Sequence, residues 1–260
     1  MNKADLIAGA GRVPLIGGLF RWFANRYREG STVSILSGYA EGMVWCRHHR
    51  YVNGYWTGHY ELPTQEAIAR ELRQGDVFWD VGANAGFFSL LACRIVGPAG
   101  NVVSFDPDPR NCQSMQEACA LNDLRNWSIV PQAISSDPGM VSFCYNEQGD
   151  SFGHLGKLGG GNDCIEVEAT TLDRAVKAFR PPQVIKMDIE GAEGLAMIGS
   201  SHMLNSIRPT WIIELHGMKA GAEVTKALAG AGYRLSTLDG TPLSSDPEYD
   251  RNPCIMARAL

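Results

Sequence analysis

One stretch of this 260-residue chain, residues 76–90, constrains the fold more than any other. Its first half, Val77 to Val81, is a short run of β-branched and aromatic residues, which is typical of a buried strand. Two glycines, Gly82 and Gly86, follow, and apolar residues then recur at helical spacing. The free N–H groups of a helix that begins after such a turn favour anionic or electron-rich ligand groups. The sequence therefore predicts an α/β fold with a ligand site at this turn.

The spacing of the two glycines indicates the kind of ligand. A dinucleotide-binding turn has the pattern G-x-G-x-x-G, which brings the backbone up to a pyrophosphate. Here only Gly82 and Gly86 are present, and Asp80 lies two residues before the first of them. A Walker loop is excluded because neither Lys-Ser nor Lys-Thr follows Gly86. The pattern suits a ligand with a cationic amino-acid end and no phosphate; a turn that only joins strand to helix is the alternative.

A second acidic residue follows the next predicted strand. Residues 101–105 form a β-branched run that ends at Asp106, roughly 20 residues after the glycine turn, where a carboxylate can accept hydrogen bonds from both hydroxyls of a ribose. Asp108 and Pro109 suit the N-cap and first turn of a helix to about residue 121. The reverse assignment, with Asp106 as the cap and Asp108 at the ribose, stays open. Asp106 is favoured because it ends the apolar run.

Two further strands end in chemically active side chains. The segment from Val184 delivers Lys186, Asp188 and Glu190, and the strand over residues 210–215 is followed by His216. In open parallel sheets the ligand crevice lies at the carboxyl ends of the strands, so these groups are expected to meet. Earlier in the chain, residues 146–163 lack apolar periodicity and predict a lid or binding loop.

Composition and charge limit the class of protein. The chain is 45% hydrophobic and 20% charged with a net charge of −5, which argues against nucleic-acid binding by the whole surface. No apolar run is long enough to span a membrane, and arginines interrupt any signal-peptide core, so a cytoplasmic location is expected. The seven cysteines show no C-x-x-C spacing, and we expect small buried hydrophobes in a reducing compartment rather than a disulfide or zinc framework.

The N-terminal part differs from the rest. Residues 1–30 carry apolar residues at an interrupted helical period, which favours a helix that packs on its own domain or contacts a second copy over one that lies on a membrane. Residues 33–60 predict a hairpin. We therefore expect an N-terminal extension over residues 1–60 and one domain over residues 61–260, with a homodimer through the extension as a hypothesis. A set of aromatic residues near the turn could line a pocket: Trp45, Tyr55, Trp56 and Tyr60.

Three separated segments carry a resemblance to one family. They are Asp80-Val81-Gly82-Ala83-Asn84-Ala85-Gly86, Phe105-Asp106-Pro107, and Lys186-Met187-Asp188-Ile189-Glu190-Gly191-Ala192-Glu193. The chain resembles the FkbM-type S-adenosylmethionine-dependent methyltransferases from about residue 58 to residue 216, and residues 1–57 carry little of the likeness. Asp106 is a departure, since the family more often has Glu there, which keeps the chemistry but shortens the side chain by one methylene.

The resemblance implies a class I methyltransferase fold, with a seven-stranded, mostly parallel sheet, helices on both faces and an antiparallel last strand. It also implies transfer of a methyl group from S-adenosylmethionine to a hydroxyl of a sugar, polyketide or similar small metabolite. The predicted cofactor contacts are Glu61, Asp80, Gly82, Ala83, Asn84, Gly86, Asp106, Pro107, Ala133 and Asp188. Asn84 contacts the methionine carboxylate or only adopts an unusual backbone dihedral, and both stay open.

The acceptor's proton needs a base, and the candidates are His216, Asp188 and Glu190, with a slight preference for the histidine because its ordinary pKa lies near neutrality. Asp188, Glu190 and Glu214 also permit a Mg²⁺-assisted alternative, although no metal is required. Competing functions are methylation of RNA or of a nitrogen, and S-adenosylmethionine binding without catalysis. A nicotinamide-dependent oxidoreductase is disfavoured by the missing middle glycine.

Overall fold

A computed structural model describes residues 27–145, 153–156, 164–243 and 253–260. The predicted N-terminal helix and most of the predicted 146–163 loop lie outside these residues. None of the helices within the described ranges is both long and apolar enough to cross a membrane.

The described residues form thirteen strands, seven α-helices and one π-helix. The strands are β1 (Ser31–Ser34), β2 (Val44–Arg47), β3 (Val77–Val81), β4 (Asn101–Phe105), β5 (Trp127–Val130), β6 (Ala133–Ile134), β7 (Gly139–Tyr145), β8 (Gly153–Gly156), β9 (Cys164–Thr170), β10 (Val184–Met187), β11 (Thr210–Glu214), β12 (Tyr233–Thr237) and β13 (Cys254–Ala259). The α-helices are α1 (Gly54–Thr57), α2 (Leu62–Glu71), α3 (Phe87–Val96), α4 (Pro109–Leu121), α5 (Leu172–Ala175), α6 (Glu193–Ile198) and α7 (Gly217–Gly230), and the π-helix is Met203–Ile207.

The main sheet has seven strands in the order β5-β4-β3-β10-β11-β13-β12. The five strands from β5 to β11 are parallel to one another, and β13 runs antiparallel to both β11 and β12. The predicted seven-stranded, mostly parallel sheet with an antiparallel last strand is confirmed. The order reverses between β3 and β10, so the carboxyl ends of these two central strands open onto a crevice.

Successive side chains of the central strands point to opposite faces, and each face has its own apolar core. Phe78 and Val184 pack with residues of α2, α3 and α4 on one face. Trp79 and Ile185 pack with residues of α5, α6 and α7 on the other. Because β3 and β10 are buried on both faces, each is apolar at every position but one, Asp80 in β3 and Lys186 in β10. Helices cover both sides of the sheet as predicted.

A second sheet of four strands, in the order β6-β9-β7-β8, was not predicted. The prediction of one strand over residues 128–134 was wrong. Pro131 follows β5, and β6 pairs with β9 in the second sheet instead of continuing in the main one. Proline cannot donate a ladder hydrogen bond, so the chain leaves the main sheet at this residue.

The expectation that no cysteines pair was also wrong. Cys144 and Cys164 form a disulfide between β7 and β9, where they are direct neighbours in the antiparallel register. The other five cysteines, all within the described ranges, are free. The two partners are 20 residues apart and follow no local motif, so only the strand pairing brings them together.

Helix bounds agree with the sequence at some ends and differ at others. Asp108 caps α4 as predicted, while α7 begins at Gly217 rather than near residue 222, and α2 ends at Glu71 rather than Gln74.

The predicted hairpin is present as β1 and β2. Trp45 of the hairpin contacts the Phe87 ring, with 6.2 Å between the ring centroids, so residues before 60 contribute to the core under the glycine turn. The division of the chain at residue 60 stays a prediction.

Candidate active site

The turn between β3 and α3 has left-handed backbone at three positions. The φ angles of Gly82, Asn84 and Gly86 are 78°, 50° and 84°. A Cβ atom on Gly82 would lie 1.9 Å from the backbone oxygen of Asp188, and one on Gly86 would lie 2.5 Å from the Met115 side chain. The first glycine therefore brings the turn against the end of β10, and the second lets α3 begin against α4.

Asp106, directly after β4, holds this turn in place. Its Oδ2 accepts a hydrogen bond from the backbone N–H of Asn84 at 2.7 Å, and its Oδ1 accepts from the N–H of Asp108 and from Asn111 Nδ2. Burial raises the pKa of Asp106 to about 7, although these three hydrogen bonds oppose the shift. A carboxyl group with both oxygens anchored is oriented in advance for a ligand.

Asp108 has the other of the two roles left open by the sequence. Its carboxylate accepts a hydrogen bond from the Arg110 N–H at 2.8 Å, as an N-cap does, and pairs with Arg50 at 2.9 Å. Burial opposes ionisation of Asp108, but its bonds to Arg110 and Arg50 hold the pKa of this carboxyl below its usual value. The assignment of Asp108 as the cap is confirmed.

Asn84 shows the unusual dihedral that was one of its two interpretations. Its φ angle is 50°, and its Oδ1 accepts a hydrogen bond from the N–H of Ala85 at 2.7 Å. The local bond stabilises the left-handed backbone that asparagine tolerates. Contact with a ligand carboxylate stays a prediction for this residue.

A cavity with an empty volume of about 770 Å³, part of it open to solvent, lies over this turn. Eight of the predicted site residues line it: Gly82, Ala83, Asn84, Asp106, Pro107, Ala133, Asp188 and Glu190. The four that are not among its described lining residues are Glu61, Asp80, Gly86 and His216. The residues predicted from the glycine turn, from the end of β4 and from the end of β10 therefore line one cavity.

Asp80 does not reach this cavity, so the structure does not support its predicted contact with the cofactor's amino end. It is fully buried, its Oδ2 accepts a hydrogen bond from Ser89 Oγ at 2.5 Å, and burial raises its pKa. It lies beside Lys186 in the register of β3 and β10. Its described contacts are structural: they join the strand, the first turn of α3 and the neighbouring strand.

Glu61 is not among the described lining residues either, but its charge acts on Tyr60 and Lys186, which do line the cavity. It precedes α2 with a φ angle of 41°, and its carboxylate accepts a hydrogen bond from Thr64 Oγ1 at 3.1 Å. Of the four aromatic residues named from the sequence, Tyr55 and Tyr60 line the cavity, while Trp45 and Trp56 are not among its described lining residues. The cavity also includes Phe88, Asn111 and Gln132, to which sequence reasoning gave no role.

Acidic side chains converge at one end of the cavity. Asp188 Oδ2 accepts from Lys186 Nζ at 3.1 Å, and Asp188 Oδ1 lies 3.7 Å from His216 Nε2. The same imidazole nitrogen lies 3.5 Å from Glu190 Oε2 and 3.8 Å from Glu214 Oε1. The two strand ends predicted to meet, those of β10 and β11, are therefore together, and we call Asp188, Glu190, Glu214 and His216 the acidic cluster.

Glu193 orients the imidazole of this cluster. It is fully buried, and its Oε1 lies 2.8 Å from His216 Nδ1, which directs Nε2 toward the three carboxylates. Sequence reasoning quoted this residue in the Lys186–Glu193 segment but assigned it no role. It is the first residue of α6, two residues after Gly191, and a glutamate that is fully buried almost always has a partner, which here is His216.

Burial and the neighbouring negative charges together raise the pKa values of three groups in the acidic cluster. Burial alone would lower the pKa of His216, but its bond to Glu193 and the nearby carboxylates raise it to about 9. Burial and the Asp188 charge raise the pKa of Glu214 to about 7, and burial also raises that of Glu190. Burial opposes the charge of Lys186 as well, yet the Asp188 and Asp80 charges raise its pKa above the usual value. The site therefore favours cationic groups.

A reversed-order parallel sheet, a two-glycine turn after its central strand and a carboxylate after the next strand together define the class I methyltransferase fold. The methyltransferase FkbM domain family matches residues 80–235, and the chain belongs to this S-adenosylmethionine-dependent family.

Two relatives illustrate the range of similarity. The hexuronic acid methyltransferase AglP of Haloferax volcanii is 28% identical over 186 residues, which cover 70% of this chain and 72% of that protein. The crystal structure of methyltransferase FkbM from Methylobacillus flagellatus KT superposes with a TM-score of 0.50 at 15% identity. That match covers 79% of this chain but 53% of the other, so this chain spans about half of that structure's length and the likeness concerns the fold.

Proposed function

We propose that this protein transfers a methyl group from S-adenosylmethionine to an oxygen of a small hydroxylated acceptor, with a hexuronic acid or a related sugar as the acceptor class. The observation that carries the proposal is a single cavity lined by the Gly82–Asn84 turn, by Asp106 and by the acidic residues Asp188 and Glu190. In this proposal the cofactor end and the proton-transfer end of the reaction share one cavity. The name of the relative from Haloferax volcanii supports the choice of acceptor class.

The residues present fit this cofactor. Asp106 offers a carboxylate already oriented by Asn84 and Asn111, which suits a pair of ribose hydroxyls. Pro107 and Ala133 supply apolar surface on the side where an adenine would lie. The excess of carboxylates beyond the turn suits a ligand that carries an ammonium group. When bound, S-adenosylmethionine supplies a methyl group on a positively charged sulfur.

The chain's own residues must align the acceptor, exclude water and take up the hydroxyl proton. Alignment is the larger contribution, since effective molarities of about 10⁵–10⁸ M exceed the roughly 10²–10⁴-fold that a general base adds. We assign the proton to Glu190, which lines the cavity and whose pKa is raised by burial. His216, whose pKa is about 9, is positively charged at neutral pH and stabilises the carboxylates beside it. Asp188 is paired with Lys186.

Alternatives exist for the metal and for the acceptor. Mg²⁺ at the acidic cluster is an alternative means of lowering the pKa of the acceptor hydroxyl. Methylation of RNA or of a nitrogen has the weaker support, because the relative from Haloferax volcanii is named for a sugar acid as its acceptor. A cytoplasmic location and pairing of two copies through residues 1–60 are untested predictions.

The proposed reaction is tested with S-adenosylmethionine that carries a deuterated methyl group and a panel of simple glycosides. We expect more of the deuterated methyl group to be transferred to glucuronide or galacturonide acceptors than to the matched neutral glucosides and galactosides. The new methyl group should resist mild alkali, as an ether does. Glu190→Gln should lower kcat at least about 100-fold, which is the loss of a general base, while the affinity for S-adenosylhomocysteine is retained.

An alkali-labile product would contradict the hydroxyl assignment, since it would be a methyl ester formed on the acid group. Transfer to RNA or to amines, with none to any glycoside, would contradict the acceptor class. Glu117→Gln, a change of the same kind at a half-buried glutamate of α4 that bonds His48, is the matched control and should turn over as the unchanged protein does.

The pKa of Asp106 leads to a prediction on pH. The carboxyl group must be ionised to accept two ribose hydroxyls, and its pKa in the cofactor-free protein is about 7 because of burial, against an ordinary 3.8. Affinity for S-adenosylhomocysteine should therefore rise as the pH rises through 7 and level off above 8, with about tenfold weaker binding at pH 6 than at pH 8. Calorimetric titration at these pH values measures the effect. Asp106→Asn should bind weakly at both; an unchanged affinity of the normal chain across this range would contradict the assignment.

A further inference from the structure

We propose that Asp188, Glu190 and His216 hold a divalent transition-metal ion, of the Mn²⁺ class, at the acidic end of the cavity. The inference rests on the proposed function and supplies the means by which the cluster lowers the pKa of the acceptor. It goes beyond the magnesium alternative because the donor set includes the His216 imidazole, whose Nε2 has no hydrogen-bond partner closer than 3.5 Å among the residues that the structure describes.

The distances suit an ion better than they suit direct pairing. His216 Nε2 lies 3.7 Å from Asp188 Oδ1 and 3.5 Å from Glu190 Oε2. Both separations exceed the 2.7–3.2 Å typical of N–H···O hydrogen bonds. The three donor atoms all lie within 4.8 Å of one another. Ligands about 2.0–2.2 Å from a shared ion are roughly 3–3.5 Å apart at neighbouring positions, so binding requires only a small contraction.

The second nitrogen of the histidine is held as in metal-binding histidines. Such residues usually bond their other ring nitrogen to a carboxylate, which sets the ring orientation. Here the fully buried Glu193 lies 2.8 Å from Nδ1, and its Oε1 also accepts from the backbone N–H of Gly191 at 3.2 Å. This anchoring leaves Nε2 directed at the carboxylates that line the cavity.

The oxygen atoms of Asp188 divide between two tasks. Oδ2 pairs with Lys186 at 3.1 Å, while Oδ1 is the atom on the His216 side. Glu190 offers Oε2 to the same point, which leaves its Oε1 for the acceptor proton. Glu214 Oε1, 3.8 Å from the imidazole, is a fourth donor at the edge. Binding of a divalent cation would displace the proton from His216 Nε2, so the ion would take over the positive charge that the imidazolium otherwise places beside these three carboxylates.

The donor chemistry selects the ion. Mg²⁺ and Ca²⁺ prefer oxygen ligands only, and structural Zn²⁺ prefers cysteine and histidine. One imidazole with two or three carboxylates suits Mn²⁺ or Fe²⁺, with positions left for an acceptor. An ion there would also draw in an acceptor that carries a carboxylate of its own, which the bare cluster would repel. It would lower the pKa of a hydroxyl bound beside it.

A second group of donors serves as the rival site. Cys46, His48 and Glu117 also lie within 4.8 Å of one another on β2 and α4. His48, however, is already bonded through both ring nitrogens, to Glu29 and to Glu117, each at 2.8 Å. Its donors are satisfied without an ion, so this group provides the matched control for the first.

The test is titration of Mn²⁺ into the full chain, stripped of metal with a chelator, followed by electron paramagnetic resonance of free Mn²⁺. We expect one site with a dissociation constant in the micromolar range. Glu190→Gln and His216→Ala should each weaken it at least tenfold, while Glu117→Gln should not change it. Binding of S-adenosylhomocysteine to every variant, measured by calorimetry, shows that each is folded.

The outcomes separate this inference from the proposed function. Absence of Mn²⁺ binding in a chain that binds S-adenosylhomocysteine would overturn the metal site and leave methyl transfer standing. If Glu117→Gln lost Mn²⁺ binding and Glu190→Gln kept it, the ion would belong to the rival site and the proposed metal site would be wrong. A single Mn²⁺ lost only with the first two variants supports the site even where no methyl acceptor is found.

Discussion

Replacement of Asp106 by alanine should weaken binding of S-adenosylhomocysteine about 100- to 1,000-fold. The ionised carboxylate is the one group placed to accept two hydrogen bonds from a ribose, and charge-assisted bonds are each worth about 1.5–3 kcal/mol. The loss has a second part. Without this side chain the N–H of Asn84 and the amide of Asn111 lose their acceptor, so the glycine turn that faces the ligand loosens. Calorimetric titration of variant and unchanged chain gives the ratio directly.

Asp106→Glu is the matched control, because the longer acid keeps the charge and the acceptor oxygens. We expect it to bind within about tenfold of the unchanged chain, since the contact is altered only by one methylene. If Asp106→Ala bound the ligand as tightly as Asp106→Glu does, the ribose contact assigned to this residue would be wrong.

Replacement of Gly82 by alanine should cost about 4 kcal/mol of folding free energy or more, or prevent folding. Two physical reasons add. The residue has a φ angle of 78°, where an L side chain is strained by about 1–2 kcal/mol. In addition, the new Cβ would lie 1.9 Å from the backbone oxygen of Asp188, which forces the ends of β3 and β10 apart. Urea denaturation followed by circular dichroism measures the loss.

Gly75→Ala separates the two reasons. Gly75 has a similar φ angle of 86°, but a Cβ there would meet no atom within 4 Å. This control should lose only the folding free energy that backbone strain costs, about 1–2 kcal/mol, and should bind S-adenosylhomocysteine normally. Equal losses from the two variants would contradict the close packing of the turn on β10.

The central sheet and the floor of the site were predictable because they rest on local signals. The run before Gly82 is buried at every position and apolar at all but Asp80, as expected of a strand covered on both faces, and Asp106 ends the next such run. The carboxyl ends of parallel strands share one edge, so Asp188, Glu190 and His216 could be expected to meet before any coordinates were known.

Features that depend on long-range pairing were not predictable in the same way. The second sheet follows from a change of partner at Pro131, and the Cys144–Cys164 bond exists only because β7 and β9 align in one register. Asp80 shows the limit within the motif itself. Its position in sequence resembles that of a ligand contact, yet its Oδ2 accepts a hydrogen bond from Ser89 and the residue is not among the described lining residues of the cavity. Side-chain direction at a strand end is decided by the neighbouring strand, which the sequence does not name.

The most direct test of the central claim, that the cavity over the Gly82–Asn84 turn binds the cofactor beside the acidic cluster, is a crystal structure with S-adenosylhomocysteine. We predict that both ribose hydroxyls lie within hydrogen-bond distance of the Asp106 carboxylate, with the adenine against Pro107 and Ala133. The sulfur should face the end of the cavity that holds Asp188 and Glu190. A ligand bound elsewhere, or one whose ribose does not contact Asp106, would contradict the account.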